Sequence, residues 1–226
     1  MRAVVLGSLP NAPLLPSRRP MSFSPDSYSS LERKLLAPAR GLLRAAFSPF
    51  VRALAALHVP PNAVSFSQVI LGGVVVALMP QHPRVAFVLF VAAIALDGVD
   101  GALARATNRV TRFGALFDQY CDHMREVTVV AGLALHGALN PFLAGLYGVT
   151  YPGFNLTLAL CNSHRAPLPF AIKSYLIVYP ALFAYLWFGA NVLDAAVALS
   201  VALMGIAIVV GLWRLSRVMD TPMVSK

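Results

Sequence analysis

Four aspartates lie close together in a chain that has few acidic residues. Asp97 and Asp100 are three positions apart, and Asp118 and Asp122 are four positions apart. Side chains three or four positions apart share one face of a helix, so each pair points in one direction. Carboxylates gathered in a membrane need a cation to offset their repulsion. One or two Mg²⁺ or Mn²⁺ ions fit this need, because such ions bind carboxylate oxygens and take their remaining ligands from water and substrate phosphate.

Small residues and an arginine accompany these aspartates. Gly101 and Ala104 lie on one face beside Arg105, and Gly114 opens the next apolar segment. Missing side chains let a bulky ligand approach the backbone, although they also let two membrane helices pack closely. The planar guanidinium of Arg105 suits phosphate oxygens, whereas Arg109 is better explained as a positive-inside anchor. The combination favours a phosphate-bearing ligand that is held through a metal.

The elements that must position these residues are membrane helices. The chain has 226 residues, of which 58% are hydrophobic and 12% are charged, against about 25% charged in a typical soluble domain. A disordered chain and an ordinary cytosolic enzyme are therefore excluded. About 20 apolar residues cross a bilayer core as a helix. The sequence predicts an all-α, polytopic domain over residues 59–214, with six spans near 63–79, 84–104, 115–136, 141–161, 169–188 and 192–213.

Three flanking segments complete the organisation that the sequence predicts. Residues 1–28 are rich in proline, serine and arginine and are expected to be disordered, with Met21 as an alternative start to Met1. Residues 29–58 place leucines near a helical period among basic residues, which is typical of an amphipathic helix on a membrane surface. Residues 215–226 form a cytoplasmic tail.

The charge distribution predicts the orientation in a cell's inner or plasma membrane. The net charge is +9. Basic residues cluster in 29–58, in the loop 105–113, in the loop 162–173 and after residue 213, whereas the other side has only Arg84 with two nearby histidines. Cytoplasmic loops carry the excess of lysine and arginine, so both termini and the aspartates are expected to face the cytoplasm. Basic residues at helix ends attract anionic lipid, and no nucleic-acid partner is expected.

The spacing of these residues resembles that of a known family. The pattern D-x-x-D-G-x-x-A-R-x(8)-G-x(3)-D-x(3)-D is filled over residues 97–122. It is similar to the motif of the CDP-alcohol phosphotransferase family, integral membrane enzymes of phospholipid synthesis. The order of one surface helix and six spans is similar too. Pro61-Asn62-Ala63-Val64-Ser65 resembles the Pro-Asn-x-x-Thr stretch that opens the family's first span, with serine in place of threonine.

The resemblance implies a reaction and a set of roles. A phosphatidyl group passes from CDP-diacylglycerol to the hydroxyl of a small polar alcohol, with or without its own phosphate, and CMP leaves. By analogy Asp97, Asp100 and Asp118 hold the metal, and Asp122 completes the site and acts as the general base. The residues implied to bind CDP are Asn62, Ser65, Gly101, Ala104, Arg105 and Gly114. The resemblance also implies a homodimer.

The acceptor is the least defined substrate. The family's glycerol phosphate and serine enzymes often continue Asp-Lys after the last aspartate, and its inositol enzymes often continue Asp-Arg. This chain continues Asp122-His123-Met124-Arg125-Glu126, which matches neither. Arg125 and Glu126 return to the Asp122 face and either contact the acceptor or pair with each other. A second basic group would bind a phosphorylated acceptor, although topology anchoring, a loop position and snorkelling also explain its members: His164, Arg165 and Lys173.

Other functions stay open at this point. CDP-alcohol transfer to a lipid acceptor uses the same motif in the reverse arrangement. An intramembrane prenyltransferase also binds diphosphate through Mg²⁺, but such proteins usually have two separated aspartate motifs and more spans. A cation-coupled transporter would use the aspartates as ion ligands near the middle of the membrane, yet the other half of the chain has no second copy of the acidic segment.

Overall fold

The computed structural model describes residues 47–164, 166–168 and 173–219. Throughout these ranges the regular structure is helical, as the sequence predicts. One short 3₁₀ turn spans Ser174–Leu176. The α-helices are α1 (Phe47–Ala56), α2 (Pro61–Leu78), α3 (Pro83–Ala106), α4 (Arg112–Leu135), α5 (Pro141–Ser163), α6 (Val178–Phe188) and α7 (Leu193–Met219).

Proline, threonine and glycine set the helix boundaries. Helices α2, α3 and α5 each begin at a proline, which suits the first helical position because its missing N–H has no partner there anyway. Helix α4 begins after Thr111, whose Oγ1 accepts a hydrogen bond from the backbone N–H of Gly114 at 2.9 Å. Helix α6 ends at Gly189, whose left-handed backbone (φ 75°) closes a helix without a Cβ penalty. Proline and glycine at these positions therefore coincide with helix ends.

The described helices differ in how well their length and composition suit a membrane span. Three described helices, α2, α3 and α7, are long and apolar enough to cross a membrane. Helices α4 and α5 have 24 and 23 residues, which is long enough to span, but they are not among these three. Helix α4 carries the charged residues Asp118, Asp122, Arg125 and Glu126. Helix α6 has 11 residues, about 16 Å at 1.5 Å per residue, which is short of the bilayer core. The span predicted at 169–188 is thus a 3₁₀ turn followed by a short helix, with 169–172 outside the described residues. The count of six stays a prediction.

Helix α1 covers the last part of the segment that we expect to lie on the membrane surface. Val51 is buried against Val64, Val99 and Leu103 of α2 and α3, while Arg52 is exposed. One face of α1 therefore contacts the ends of α2 and α3. The disordered segment expected at 1–28 and the helix expected over 29–46 lie outside the described residues, as does the tail beyond residue 219.

Helix α2 lies between the two helices that carry the aspartates. It packs against both α3 and α4, and its contacts with each are more extensive than those of α3 with α4. The remaining contacts join α4 to α5, α5 to α7, and α6 to both α3 and α7. A connection as short as residues 107–111 predicts that α3 and α4 are direct neighbours. They meet through the carboxyl groups of Asp100 and Asp118, and polar side chains of α2 also connect them.

Close helix packing depends on two glycines. A Cβ added at Gly211 of α7 would lie 2.5 Å from Cγ2 of Thr157 on α5, and a Cβ at Gly132 of α4 would overlap the side chain of Val76 on α2. Small residues let membrane helices approach in this way. The Thr157 hydroxyl donates to the carbonyl of Gly153 at 2.8 Å, which holds the methyl group against Gly211.

Gly211→Ala is expected to destabilise the protein by about 1–3 kcal/mol, the usual cost of overpacking. The reason is that Thr157 cannot turn its methyl group away without losing its hydrogen bond. Thermal unfolding in detergent measures the effect. The matched control is Gly205→Ala on the same helix, because nothing lies within 4 Å of its added Cβ. Equal melting temperatures for the two variants would contradict the packing argument.

Candidate functional site

A cavity of about 230 Å³ opens where α2 begins, α3 ends and α4 begins. Its wall includes Asp100 of α3 and Asp118 of α4, together with residues of the connecting loop 107–111. All the residues that we expected to bind CDP line it: Asn62, Ser65, Gly101, Ala104, Arg105 and Gly114. Positions that are distant in sequence thus form one wall.

Asp100 and Asp118 meet inside this cavity. Asp100 is 3% exposed and accepts hydrogen bonds from Ser65 Oγ at 2.5 Å and Gln68 Nε2 at 3.5 Å. The carboxyl groups of Asp100 and Asp118 interact directly. Oδ1 of Asp118 is buried and has no hydrogen-bond partner among the described residues. A buried carboxylate oxygen without a partner is costly, so this atom is suited to a ligand.

Asp97 and Asp122 are placed differently from this pair. Both are half-buried and lie close enough to Asp118 to act on it electrostatically, but neither lines the cavity. Arg125 Nη2 donates to Asp122 Oδ1, and the Tyr151 hydroxyl lies 3.4 Å from Asp122 Oδ2.

The expected ligand set of four aspartates is therefore not assembled around one point. Within the described ranges no group of three or more His, Cys, Asp or Glu side chains is arranged to hold a metal ion. The physical reason is that Arg125 pairs with Asp122, while Asp100 and Asp118 line the cavity. The chemistry of the donors still fits a hard cation, because all of them are carboxylate oxygens and one buried oxygen has no partner.

Arg125 is buried inside the bundle. It is 2% exposed, and its Nη1 donates to Oε1 of Gln68 while its Nη2 donates to Asp122. Both terminal nitrogens are engaged with protein, and a contact between Arg125 and the acceptor stays a prediction. The ion pair with Asp122 and the hydrogen bond with Gln68 offset much of the cost of burying the guanidinium, while its buried Nε has no hydrogen-bond partner among the described residues.

Glu126 does not pair with Arg125, which corrects the second alternative for these residues. No ion pair joins them within the described ranges. Glu126 is 1% exposed and accepts hydrogen bonds from the hydroxyls of Tyr147, at 2.8 Å, and Tyr179, at 2.7 Å. The carboxylate thus connects α4 to α5 and α6, on a side of α4 different from the Gln68 contact.

Comparison with known protein families identifies the family of this chain. A sequence model of the CDP-alcohol phosphatidyltransferase family matches residues 58–213, which cover α2 to α6 and most of α7. The chain belongs to this family. It is an integral membrane protein, and residues of the motif over 97–122 supply much of the wall of its cavity.

Individual relatives in this family are similar to part of the chain. The archaetidylinositol phosphate synthase of Pyrococcus horikoshii is 31% identical over 118 residues, covering 48% of this chain and 61% of that protein. The human CDP-diacylglycerol–inositol 3-phosphatidyltransferase is 32% identical over 75 residues, covering 33% and 35%. The chain thus spans less than two thirds of either relative. The crystal structure of the Mycobacterium tuberculosis phosphatidylinositol phosphate synthase with CDP-DAG bound has the same fold, with a TM-score of 0.58, 20% identity, and coverage of 79% of this chain and 96% of that one.

The second basic group of this family member is only partly brought to the aspartates. Lys173 is half-buried and acts electrostatically on Asp97 and on His123. His164 ends α5, and its Nδ1 lies 3.0 Å from the carbonyl oxygen of Leu160 on the same helix. Arg165 lies outside the described residues. Of the two described members of this basic group, Lys173 is the one that lies near the aspartates.

Two residues of the site were missed from the sequence. Arg109, expected to be a topology anchor, lines the cavity because Asn108 adopts a left-handed backbone (φ 54°) after α3 and turns the chain back. Asparagine tolerates this conformation better than most residues, which is a usable signal. Gln68 lies three positions after Ser65 on an otherwise apolar face, and its polarity in a membrane helix was the available signal.

Proposed function

We propose that this protein transfers a phosphatidyl group from CDP-diacylglycerol to the hydroxyl of a small polar alcohol and releases CMP. The observation that supports it most is the single cavity lined by every motif residue expected to bind CDP, from Asn62 on α2 to Gly114 on α4. Family membership agrees with this. The relatives named above are phosphatidylinositol-type synthases, and the structural neighbour has CDP-DAG bound.

Asp100 and Asp118 would hold the metal in this proposal, with Asp97 and Asp122 contributing negative charge from nearby. When bound, Mg²⁺ or Mn²⁺ neutralises the diphosphate and stabilises the departing CMP. Support comes from the unpartnered buried oxygen of Asp118 and from the electrostatic proximity of the other carboxylates. One ion and two ions are equally compatible with these residues.

The cavity wall would bind the nucleotide through backbone and guanidinium groups. A Cβ at Gly101 would lie 3.4 Å from Arg105 Nη1, and one at Gly114 would lie 3.0 Å from Thr111 Oγ1. Glycine at both positions therefore keeps the space beside these groups open. Arg105 and Arg109 would donate to phosphate oxygens, for which a guanidinium has a matching geometry.

Asp122 would take the proton from the acceptor hydroxyl. The hydroxyl oxygen then attacks the β-phosphorus, and the bond from that phosphorus to the CMP oxygen breaks. A carboxylate that is held by Arg125 and Tyr151 outside the nucleotide cavity is suited to this role. General bases contribute about 10²–10⁴-fold to a rate.

The acceptor is inferred to be a polyol of the inositol class, with or without a phosphate. Lys173 beside Asp97 supplies a positive charge on the side of the aspartates, and the named relatives act in inositol lipid synthesis. We also infer that the cavity and both termini face the cytoplasm, from the distribution of basic residues. The homodimer stays a prediction.

The test is CMP release by the purified protein in detergent with CDP-diacylglycerol. We expect release with Mg²⁺ or Mn²⁺, none with EDTA, and stimulation by inositol or inositol phosphate above glycerol 3-phosphate and serine. Release of CMP from a soluble CDP-alcohol with diacylglycerol would instead establish the reverse arrangement. No CMP under any of these conditions, with metal-dependent ion uptake into vesicles, would establish the transporter alternative.

Arg109→Ala is expected to raise KM for CDP-diacylglycerol about 10- to 150-fold, because one charge-assisted hydrogen bond to phosphate, worth about 1.5–3 kcal/mol, is lost. The turnover number at saturating donor should stay the same, since Arg109 lies on the nucleotide wall. Steady-state kinetics measures both. The control is Arg52→Ala, which removes an exposed arginine of α1 that does not line the cavity. An unchanged KM in the Arg109 variant would remove this residue from the binding site.

A further inference from the structure

Gln68 connects the helices that carry the two aspartate pairs. It lies on α2 and is 0% exposed. Its Nε2 donates to Asp100 Oδ2 on α3 at 3.5 Å, and its Oε1 accepts from Arg125 Nη1 on α4. The amide nitrogen of Gln68 therefore bonds to α3 and its amide oxygen bonds to α4.

The contacts continue beyond Gln68 in both directions. Arg125 extends them to Asp122 through its second terminal nitrogen. On the other side Ser65, one turn before Gln68, donates to the same Oδ2 of Asp100 at 2.5 Å. An unbroken row of hydrogen bonds thus links Asp100 to Asp122 across α2.

The shape of α2 provides room for the Arg125 stem in this row. Gly72 follows Gln68 by one turn, and a Cβ there would lie 3.3 Å from Cγ of Arg125 and 3.4 Å from its Cα. A larger residue would push α4 away from α2. The arginine is therefore held by packing along its stem and by hydrogen bonds at its head.

We propose that Gln68 is a positioning residue that fixes Arg125, and through it Asp122, relative to Asp100. The proposal rests on the proposed function, which assigns Asp100 to the donor side and Asp122 to the acceptor side. An amide is the side chain that donates to a carboxylate and accepts from a guanidinium at once. Glutamate only accepts when ionised, and methionine offers neither group in useful strength.

Two substitutions of Gln68 test the contacts of its amide nitrogen and its amide oxygen separately. Gln68→Met removes both contacts at similar volume and is expected to lower kcat by about 10–100-fold, as does loss of a side chain that orients a metal-site residue. Gln68→Glu keeps the acceptor for Arg125, so kcat should stay within about threefold, but it places a like charge beside Asp100 and should raise KM for CDP-diacylglycerol about tenfold. The control is Ser67→Ala, whose hydroxyl donates to the carbonyl of Val64 on the same helix.

A double variant tests whether Gln68 acts through Arg125. Arg125→Lys keeps a positive charge but has no fork to bridge Gln68 and Asp122. If Gln68 acts through Arg125, Gln68→Met should lower kcat by a much smaller factor in the Arg125→Lys background than in the wild type, because the effects of coupled residues are not additive. If the losses of kcat caused by Gln68→Met and Arg125→Lys simply multiply in the double variant, the proposal is overturned.

A merely structural role predicts a different outcome. In that case Gln68→Met and Gln68→Glu would lower kcat in proportion to their loss of melting temperature, with no split between kcat and KM. That result, or an unchanged kcat for Gln68→Met, would overturn the inference. Absence of CMP release by the wild-type protein would instead refute the proposed function, so the two failures are distinguishable.

Discussion

Replacing Asp122 with asparagine is expected to lower kcat by about 10²–10⁴-fold, the contribution of a general base, with CDP-diacylglycerol binding nearly unchanged. Asparagine has almost the same shape, and its carbonyl oxygen still accepts from Arg125, but it cannot take the proton of the acceptor hydroxyl. Asp122 does not line the nucleotide cavity, which is why binding should survive.

Radiolabelled transfer to the acceptor and equilibrium binding of CDP-diacylglycerol measure the two effects separately. Asp194→Asn is the matched control, because it makes the same chemical change at an exposed residue near the opposite end of the bundle, where Asp194 accepts from the N–H of Asn140 at 2.7 Å. Wild-type turnover in the Asp122 variant would exclude this residue as the base.

Asp118→Asn should lose metal-dependent binding of CDP-diacylglycerol as well as turnover, whereas Asp122→Asn should lose turnover alone. Asp118 lines the cavity, and its Oδ1 is buried without a hydrogen-bond partner in the described part of the chain. Without a metal the Asp118 carboxyl is buried beside those of Asp97, Asp100 and Asp122, so replacing it with a neutral amide should relieve this crowding of like groups and stabilise the metal-free protein. The same change should abolish the stabilisation that Mg²⁺ gives to the wild type.

Thermal unfolding with and without Mg²⁺ checks this second prediction. A ligand at about 100 times its Kd stabilises the folded state by about 2.7 kcal/mol, and this gain should be present in the wild type and absent in Asp118→Asn. Gln119→Ala, one position further along α4, is the control for local helix effects. A Mg²⁺-dependent stabilisation retained by the Asp118 variant would place the metal elsewhere or remove it from the mechanism.

Much of the helical fold follows from local sequence signals. Helices α2, α3 and α5 begin at prolines because proline suits that position whatever surrounds it. Part of the cavity wall could also be predicted from the sequence, because Gly101, Ala104 and Arg105 share one helix face. The resemblance to the family motif then placed Asn62 and Gly114 with them, and all five line the cavity.

The rest depends on contacts between residues that are far apart in the chain. Helical periodicity places Arg125 on the Asp122 face, but it cannot show that Gln68, 57 positions earlier, accepts from its other nitrogen. The same periodicity left Glu126 without its partners, Tyr147 and Tyr179. The length of α6 was overestimated because the apolar composition of 169–188 does not distinguish an α-helix from a 3₁₀ turn and a shorter helix.

The two tyrosines that hold Glu126 bear on how the chain enters a bilayer during synthesis. A carboxylate at the centre of a membrane helix costs about 2.5–3.5 kcal/mol on insertion scales, and α4 contains several charged groups. Tyr179, which donates to Glu126, lies 53 positions later in the chain and leaves the ribosome well after α4. Integration of α4 should therefore be incomplete in nascent chains that stop before α6, and glycosylation mapping of truncated chains would detect the delay.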